Sequence, residues 1–332
     1  MRAIQHIKHG EVRDAVRLID MPDPRPGPGE IVIRMEASAV HLADVYRITG
    51  QRGFRAESLP SIPGYEGVGR VVGVGSDVSR FKVGDRAFPW WGSGTFAELV
   101  CTSAEKALPA PEGDPQQLAL TLVNGMTAVV LLEDFRTLAP GDWLIQNGAN
   151  SNCGRYLIAL AKEKGLKTCN IVRRPGVMDD LYALGADKVI LDTETPEQLE
   201  SKVKEVTGGA AIQIGFDMVA GSATARLARC LSEGGLVVNY GFISREPCTI
   251  HFDELFRKDV SLVGMSTGRG MAKRSREEIT AIYAKLSAMI GSGKLKAAIA
   301  ATYPLERAQE AFAQALKTGA DRDGKVILLP NG

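Results

Sequence analysis

Through the middle of this chain, short apolar runs alternate with helical patterns. After Pro140-Gly141-Asp142 comes the run WLIQN, then a turn, then CGRYLIALAKEKG. In that last segment Leu157, Leu160 and Ala161 share one helical face, and Gly165 ends it. Further strands are expected at TCNIV, KVIL (188–191), IQIGF (212–216), LVVNY (236–240) and VSLVG (260–264), with helices near 177–184, 196–206 and 221–231. Strands alternating with helices make right-handed βαβ units and a parallel sheet, and six of them complete a doubly wound domain. The fold class is therefore α/β.

The flanks follow a different rhythm. The first third is short strands between glycines and prolines, as in PGPGEIVIRMEA and IPGYEGVGRVVGVG, which predicts a curled, β-rich domain. The tail offers a helix at Ser275–Ile290, the run AIAATYPL, a helix at Glu306–Lys317 and a last strand KVILL. Because six strands already fill the middle domain, the tail is expected to return to the first one. The predicted division is a discontinuous outer domain, 1–121 with 266–332, around a dinucleotide-binding domain at 122–265.

Composition narrows the function classes. A net charge of +1 gives no global attraction to nucleic acid. No apolar run approaches 18 residues, and the first residues lack an apolar leader core, so neither a membrane span nor a secretory signal is expected. Five scattered cysteines without a C-x-x-C pair fit free thiols and a cytoplasmic protein. Glycine is in excess, at 36 of 332 residues.

In a dinucleotide fold the first strand turns into a helix whose N-terminal amides face the pyrophosphate. That turn here is QNGANSNCGRY, with Asn150, Ser151, Asn152, Cys153 and Gly154 as candidate phosphate contacts. It lacks the G-x-G-x-x-G pattern, and an ordinary capped β–α turn is the competing reading. After the second strand stand Arg173 and Arg174, with no acid before Asp179. An acid there would serve a ribose 2′-hydroxyl, whereas guanidinium groups suit a 2′-phosphate. The expected cofactor is NADPH.

PGPGEIVIRMEASAV, LPSIPGYEGVGRVVGVG, FKVGDRAF, VNGMTAVVLLEDF, LAPGDWLIQNGANSNCG and the final GKVIL resemble the medium-chain dehydrogenase/reductase superfamily over nearly the whole chain. The loop and VNGMTA are most similar to the mitochondrial-type trans-2-enoyl-thioester reductases, and next to the zeta-crystallin-like quinone reductases. The resemblance implies a GroES-like outer domain, a Rossmann inner domain, NADPH, no metal and a homodimer. It places Asn124, Thr127, Gly241 and Phe242 near the nicotinamide and Lys325 at the cofactor's phosphates. Zinc-dependent members carry ligands where this chain has Leu42 and Tyr65, and four scattered histidines offer no paired ligand spacing.

The catalytic expectations are less uniform. The thioester reductases have a catalytic Tyr in a segment that reads TGQRGF here, with Arg52 at the matching position. Tyr46 matches a Tyr of the quinone-reductase branch, and Tyr65 replaces a metal ligand. Hydride addition to an enoyl β-carbon leaves an enolate that must be stabilised and protonated, so Tyr46, Arg52 and Tyr65 are the catalytic candidates. Each also has a plain reading: Tyr46 a core aromatic, Arg52 a surface charge. The substrate expected first is an enoyl thioester. Quinones or enones and aldehydes come second, and a cofactor-binding protein with little turnover is the reading from another class. Gly264-Met265-Ser266-Thr267-Gly268 matches a nucleophile elbow, but TGRGM is not expected to start a helix at once and no His follows. The basic cluster Arg269, Lys273, Arg274 and Arg276 could meet a coenzyme A phosphate, with a solvated loop as the alternative.

Overall fold

The computed structural model describes residues 1–51, 58–317 and 324–332. They form two compact units, Met1–Val123 with Thr280–Gly332 and Asn124–Ile279.

The second unit is built on β1 (Trp143–Gln146), β2 (Lys167–Val172), β3 (Lys188–Leu191), β4 (Ile212–Asp217), β5 (Leu236–Asn239) and β6 (Ser261–Gly264). All pairings are parallel, in the order β3-β2-β1-β4-β5-β6. This is the doubly wound order, with its switch point between β1 and β4. Successive strand residues face opposite sides. Ile171 and Ile190 therefore join a cluster with Leu199, Val203 and Leu227, while Val172 and Val189 join Ile158 and Leu181. Helices thus cover both faces, as the continuous apolar strands require.

Local chemistry sets the helix ends. Ser151 caps Asn152–Glu163, and Thr195 with Gln198 forms a capping box ahead of Pro196–Thr207, which closes at left-handed Gly208. The predicted helix 177–184 is a 3-10 turn at Pro175–Val177 followed by Met178–Ala183, and 221–231 shortens to Ser222–Arg229. The helices expected at Ser275–Ile290 and Glu306–Lys317 run Arg276–Gly291 and, after a 3-10 turn, Ala308–Leu316.

Two expectations about the segment after β6 are corrected. A helix, Thr267–Ala272, does start directly after Ser266, which caps it. The absence of a following helix was therefore a wrong reason to discard the elbow; the lack of a downstream His still stands. This segment also packs on the inner unit, not the outer one. The Thr127 and Thr267 hydroxyls meet at 2.7 Å, and Arg274 donates to Asp134 at 2.6 Å. A Cβ on Gly270 would lie 2.5 Å from a Val130 methyl, so that glycine permits the close approach.

In the first unit, Glu30–Val40 is the central strand. It pairs antiparallel with Gly67–Val74, Leu99–Ser103 and Lys325–Leu329. A Cβ on Gly69 would run into the Arg34 carbonyl, which explains part of the glycine excess here. Arg2–His6 and Val16–Asp20 make a separate two-stranded sheet, and Phe96 packs on Phe312 with ring centres 5.5 Å apart. A helix at Leu42–Thr49 and a π-helix at Thr121–Met126, continued by Thr127–Glu133, were not foreseen. No described helix is long and apolar enough to cross a membrane.

His6 is fully buried, and burial lowers its pKa from the usual 6.5. The unfolded chain then takes up a proton that the folded chain resists. Its contribution to stability is complete above pH 6.5 and is lost as pH falls below that value, by at most about 1.4 kcal/mol per pH unit. Urea midpoints at pH 7 and pH 5 should differ less in His6→Leu than in the parent chain.

Candidate functional site

The inner unit gathers its polar groups at the carboxyl ends of the strands, where ligands bind in such sheets. Beyond β1, Asn147 is buried and Gly148 is left-handed, with φ 59°. The Ser151 hydroxyl accepts the Gly154 N–H at 3.1 Å. A Cβ on Gly154 would stand 2.5 Å from the Ala149 carbonyl, so glycine lets the first helical turn pack against the loop backbone. Asn150 and Ser151 are half-buried, whereas Asn152 and Cys153 are buried in the first helical turn. The Gln146 amide supports the loop from below, donating to the Gly154 carbonyl and to Asn170 Oδ1.

A buried carboxylate organises this edge. Asp217, at the end of β4, accepts from Asn147 Nδ2 at 2.7 Å, the Val219 and Ala220 N–H groups, Thr224 Oγ1 at 2.6 Å and Asn239 Nδ2 at 3.0 Å. Asn147 returns a contact by accepting the Met218 N–H at 2.8 Å. The ends of β1, β4 and β5 are thereby tied together, and Ala220 and Gly221 turn with φ 66° and 62°. Gly241 follows β5; a Cβ there would overlap the Met218 carbonyl. Phe242 beside it is half-buried, Arg173 at the end of β2 is exposed and Arg174 is half-buried. Asn124 is buried with its amide nitrogen unpartnered, one turn from the Thr127–Thr267 hydroxyl pair.

In the outer unit a second polar group converges. His41 and Glu66 are 4% and 3% exposed, with Nε2 and Oε1 2.5 Å apart. Lys325 Nζ stands 2.8 Å from His41 Nδ1, and the Val123 N–H donates to Glu66 Oε2 at 2.8 Å. Asp44 Oδ2 accepts the His41 N–H at 2.8 Å. Burial pushes the Glu66 carboxyl up to about 8 and that of Asp44 to about 7, against the backbone donors and the Lys325 charge. Tyr65 is half-buried with its ring edge-on to Trp91 at 5.4 Å. Tyr46 is 6% exposed. Arg52 lies outside the described residues. Lys325, expected at the cofactor's phosphates, has its amine on the His41 ring.

Two domain models match this chain, the alcohol dehydrogenase GroES-like domain over residues 27–112 and the zinc-binding dehydrogenase domain over 184–328. The mitochondrial enoyl-[acyl-carrier-protein] reductase of Mus musculus is 33% identical over 96% of this chain and 86% of its own length. The chain belongs to the medium-chain dehydrogenase/reductase superfamily. Among solved structures, the Escherichia coli quinone oxidoreductase complexed with NADPH superposes with a TM-score of 0.86, at 26% identity over 99% of this chain and 100% of that one. The ETR1P complex with NADP and crotonyl-CoA gives 0.83, at 25% identity over 99% of both chains.

This dehydrogenase/reductase is an oxidoreductase whose fold matches the expected one. Leu42 and Tyr65, the positions expected from resemblance to match zinc ligands, directly adjoin His41 and Glu66 in the chain. Among the described residues, no three His, Cys, Asp or Glu side chains cluster as a metal site. Sequence reading missed His41, Asp44, Asn147 and Asp217. Asp217 had one visible signal, an acid directly after an apolar strand. The discarded basic cluster is partly neutralised, because Arg274 pairs with Asp134 and Glu133.

Asp217→Ala would leave several buried donors without an acceptor. It should destabilise the protein by about 3 kcal/mol or more in urea unfolding, and raise the NADPH Kd measured by cofactor fluorescence.

Proposed function

We propose that this protein is an NADPH-dependent reductase of activated C=C bonds, with a trans-2-enoyl thioester as substrate. The observation that carries the reading is the carboxyl edge of the inner sheet, where Arg173 and Arg174 follow β2 directly. No acid stands beside them before Asp179. Names of relatives support the acceptor: an enoyl-[acyl-carrier-protein] reductase aligns over nearly the whole chain, and a crotonyl-CoA complex shares the fold.

The residues present fit the cofactor. The Asn124 amide is a buried donor with no hydrogen-bond partner. In this reading the amides from Asn150 to Gly154 hold the pyrophosphate, Arg173 and Arg174 the 2′-phosphate, and Asn124, Thr127, Gly241 and Phe242 the nicotinamide. The bound cofactor supplies a hydride. The chain must then steady the enolate oxygen and deliver a proton to the α-carbon. Tyr65 is the better placed of the two described tyrosines, since its ring is half-open whereas Tyr46 is buried in the helix Leu42–Thr49.

A quinone acceptor is the second reading, favoured by the similarity to the Escherichia coli quinone oxidoreductase. NADPH oxidation assayed in parallel with crotonyl-CoA, a quinone and an enone decides between them; turnover with quinone alone defeats the thioester reading. Arg173→Asp should raise KM for NADPH about tenfold or more while leaving NADH little changed. Equal losses for both cofactors would remove Arg173 from the 2′-phosphate. Tyr65→Phe should lower kcat by about 100-fold.

The same reading includes a homodimer. Strand β6 is the sheet's edge and is exposed along its length, including Leu262 and Val263. Close to it in sequence, Phe252 and Phe256 are 67% and 74% exposed, their rings stacked at 4.9 Å. An unprotected apolar edge invites pairing with a second copy. Light scattering should give twice the 35.6 kDa chain mass, and Val263→Lys with Phe256→Glu should give the single mass. All five cysteines are free, which suits a reducing compartment; the curated relatives are mitochondrial by name.

A further inference from the structure

We propose that Lys325, His41 and Glu66 form a hydrogen-bond chain with a single proton arrangement, which positions the π-helix carrying Asn124 and so makes these three positioning residues for the reduction. The functional part rests on the reductase reading above; the chain itself does not.

The proton arrangement follows from donor counting. A lysine ammonium has three donors and no acceptor, so His41 Nδ1, 2.8 Å away, must offer its lone pair. A neutral imidazole then carries its hydrogen on Nε2, which donates to Glu66 Oε1 at 2.5 Å. The reverse order, with Glu66 donating to Nε2 and Nδ1–H donating to an uncharged amine, holds the same number of protons. Burial raises the Glu66 carboxyl to about 8, so the charged arrangement holds above that pH, where the mutual attraction of ammonium and carboxylate favours it. The extra proton therefore stays on the amine. The group is then an ammonium, a neutral ring and a carboxylate, whose charges offset one another in a buried place. Asp44, which accepts the His41 N–H, also acts on Glu66, and Arg47 of the same helix acts on Asp44.

The far end of the chain supplies the function. Glu66 spends its second oxygen on the Val123 N–H, inside the π-helix Thr121–Met126. The first N–H groups of any helix lack partners within it, and π-turns recur at functional sites. Glu66 fixes one of those groups, and the next residue is Asn124, with its buried amide unpartnered. A glutamine at position 66 cannot do both jobs. Its oxygen can face Val123, setting its NH2 against His41, or face His41, setting its NH2 against the Val123 N–H.

The test uses the full-length protein labelled with 15N-histidine, the His41 signal being assigned with His41→Asn. At pH 9, above the Glu66 value of about 8, the ring should show the Nε2–H tautomer. In Lys325→Met the donor to Nδ1 is gone and Glu66 remains, so the ring should gain a second proton towards pH 6; Lys325→Arg should restore the parent signal. Hydrogen exchange at the Val123 amide should be about tenfold faster in Glu66→Gln. With NADPH and crotonyl-CoA, Lys325→Met and Glu66→Gln should lower kcat about tenfold or more while KM for NADPH moves less than about twofold, with Lys325→Arg recovering most of the loss. Circular dichroism of the variants guards against misfolding. An Nδ1–H tautomer in the parent at pH 9, or unchanged Val123 exchange and kcat in folded variants, overturns the proposal. If the parent reduces none of the acceptors, the reductase reading fails, and the ring signal with Val123 exchange still decides the chain.

Discussion

The inner unit depends on one buried carboxylate. Asp217 sits where β4 ends beside the switch between β1 and β4, a place where a parallel sheet leaves chain ends and loop amides facing inward. Burying a charge is costly unless its lone pairs are met. Here two side-chain amides, two backbone N–H groups and a hydroxyl meet them. The same five bonds draw three strand ends into register and bend the loop through Ala220 and Gly221. Gly241 can then pass against the Met218 carbonyl, which no larger residue would allow. The close approach of two loop backbones is thus a consequence of satisfying one carboxylate.

The outer unit solves a related problem with different groups. Where zinc-dependent members of the superfamily gather ligands around a cation, this chain brings an ammonium, an imidazole and a carboxylate together. The positive charge is Lys325, carried in by the strand Lys325–Leu329 at the end of the chain and aligned by its pairing with Glu30–Val40. Removing one member would leave a partner charged and buried, which is worse than having neither.

What was legible in the sequence divides along the range of the interactions. The six inner strands were visible because each is a short apolar run bounded by turn residues, and that signal is local. The cap at Ser151 and the arginine pair after β2 were likewise written in neighbouring residues. The helix at Thr267–Ala272 was missed because two glycines in six residues argue against helix, while the tolerance for Gly270 comes from Val130, distant in sequence. The π-helix was missed for the same reason: its partner, Glu66, lies 57 residues from Val123. Lys325 was placed by resemblance at a phosphate, and its proximity to His41 has no local sign, because 284 residues separate them.

The glycine excess shows how composition can point correctly and for a different reason. Glycine in a nucleotide fold suggests a phosphate loop, yet the loop after β1 carries only Gly148 and Gly154, with asparagines and serine elsewhere. Gly154 answers to the close approach of the first helical turn to the Ala149 backbone, and Gly148 to a left-handed turn. Asparagine and serine can take the remaining places because they cap a helix start as well as glycine bends one. The excess is spread over both units, and in the outer one residues such as Gly69 let a strand approach the backbone of Glu30–Val40 closely. In the proposed reading the two phosphate sites are separate: the loop after β1 offers backbone amides to the pyrophosphate, and Arg173 and Arg174 after β2 offer charge to the 2′-phosphate.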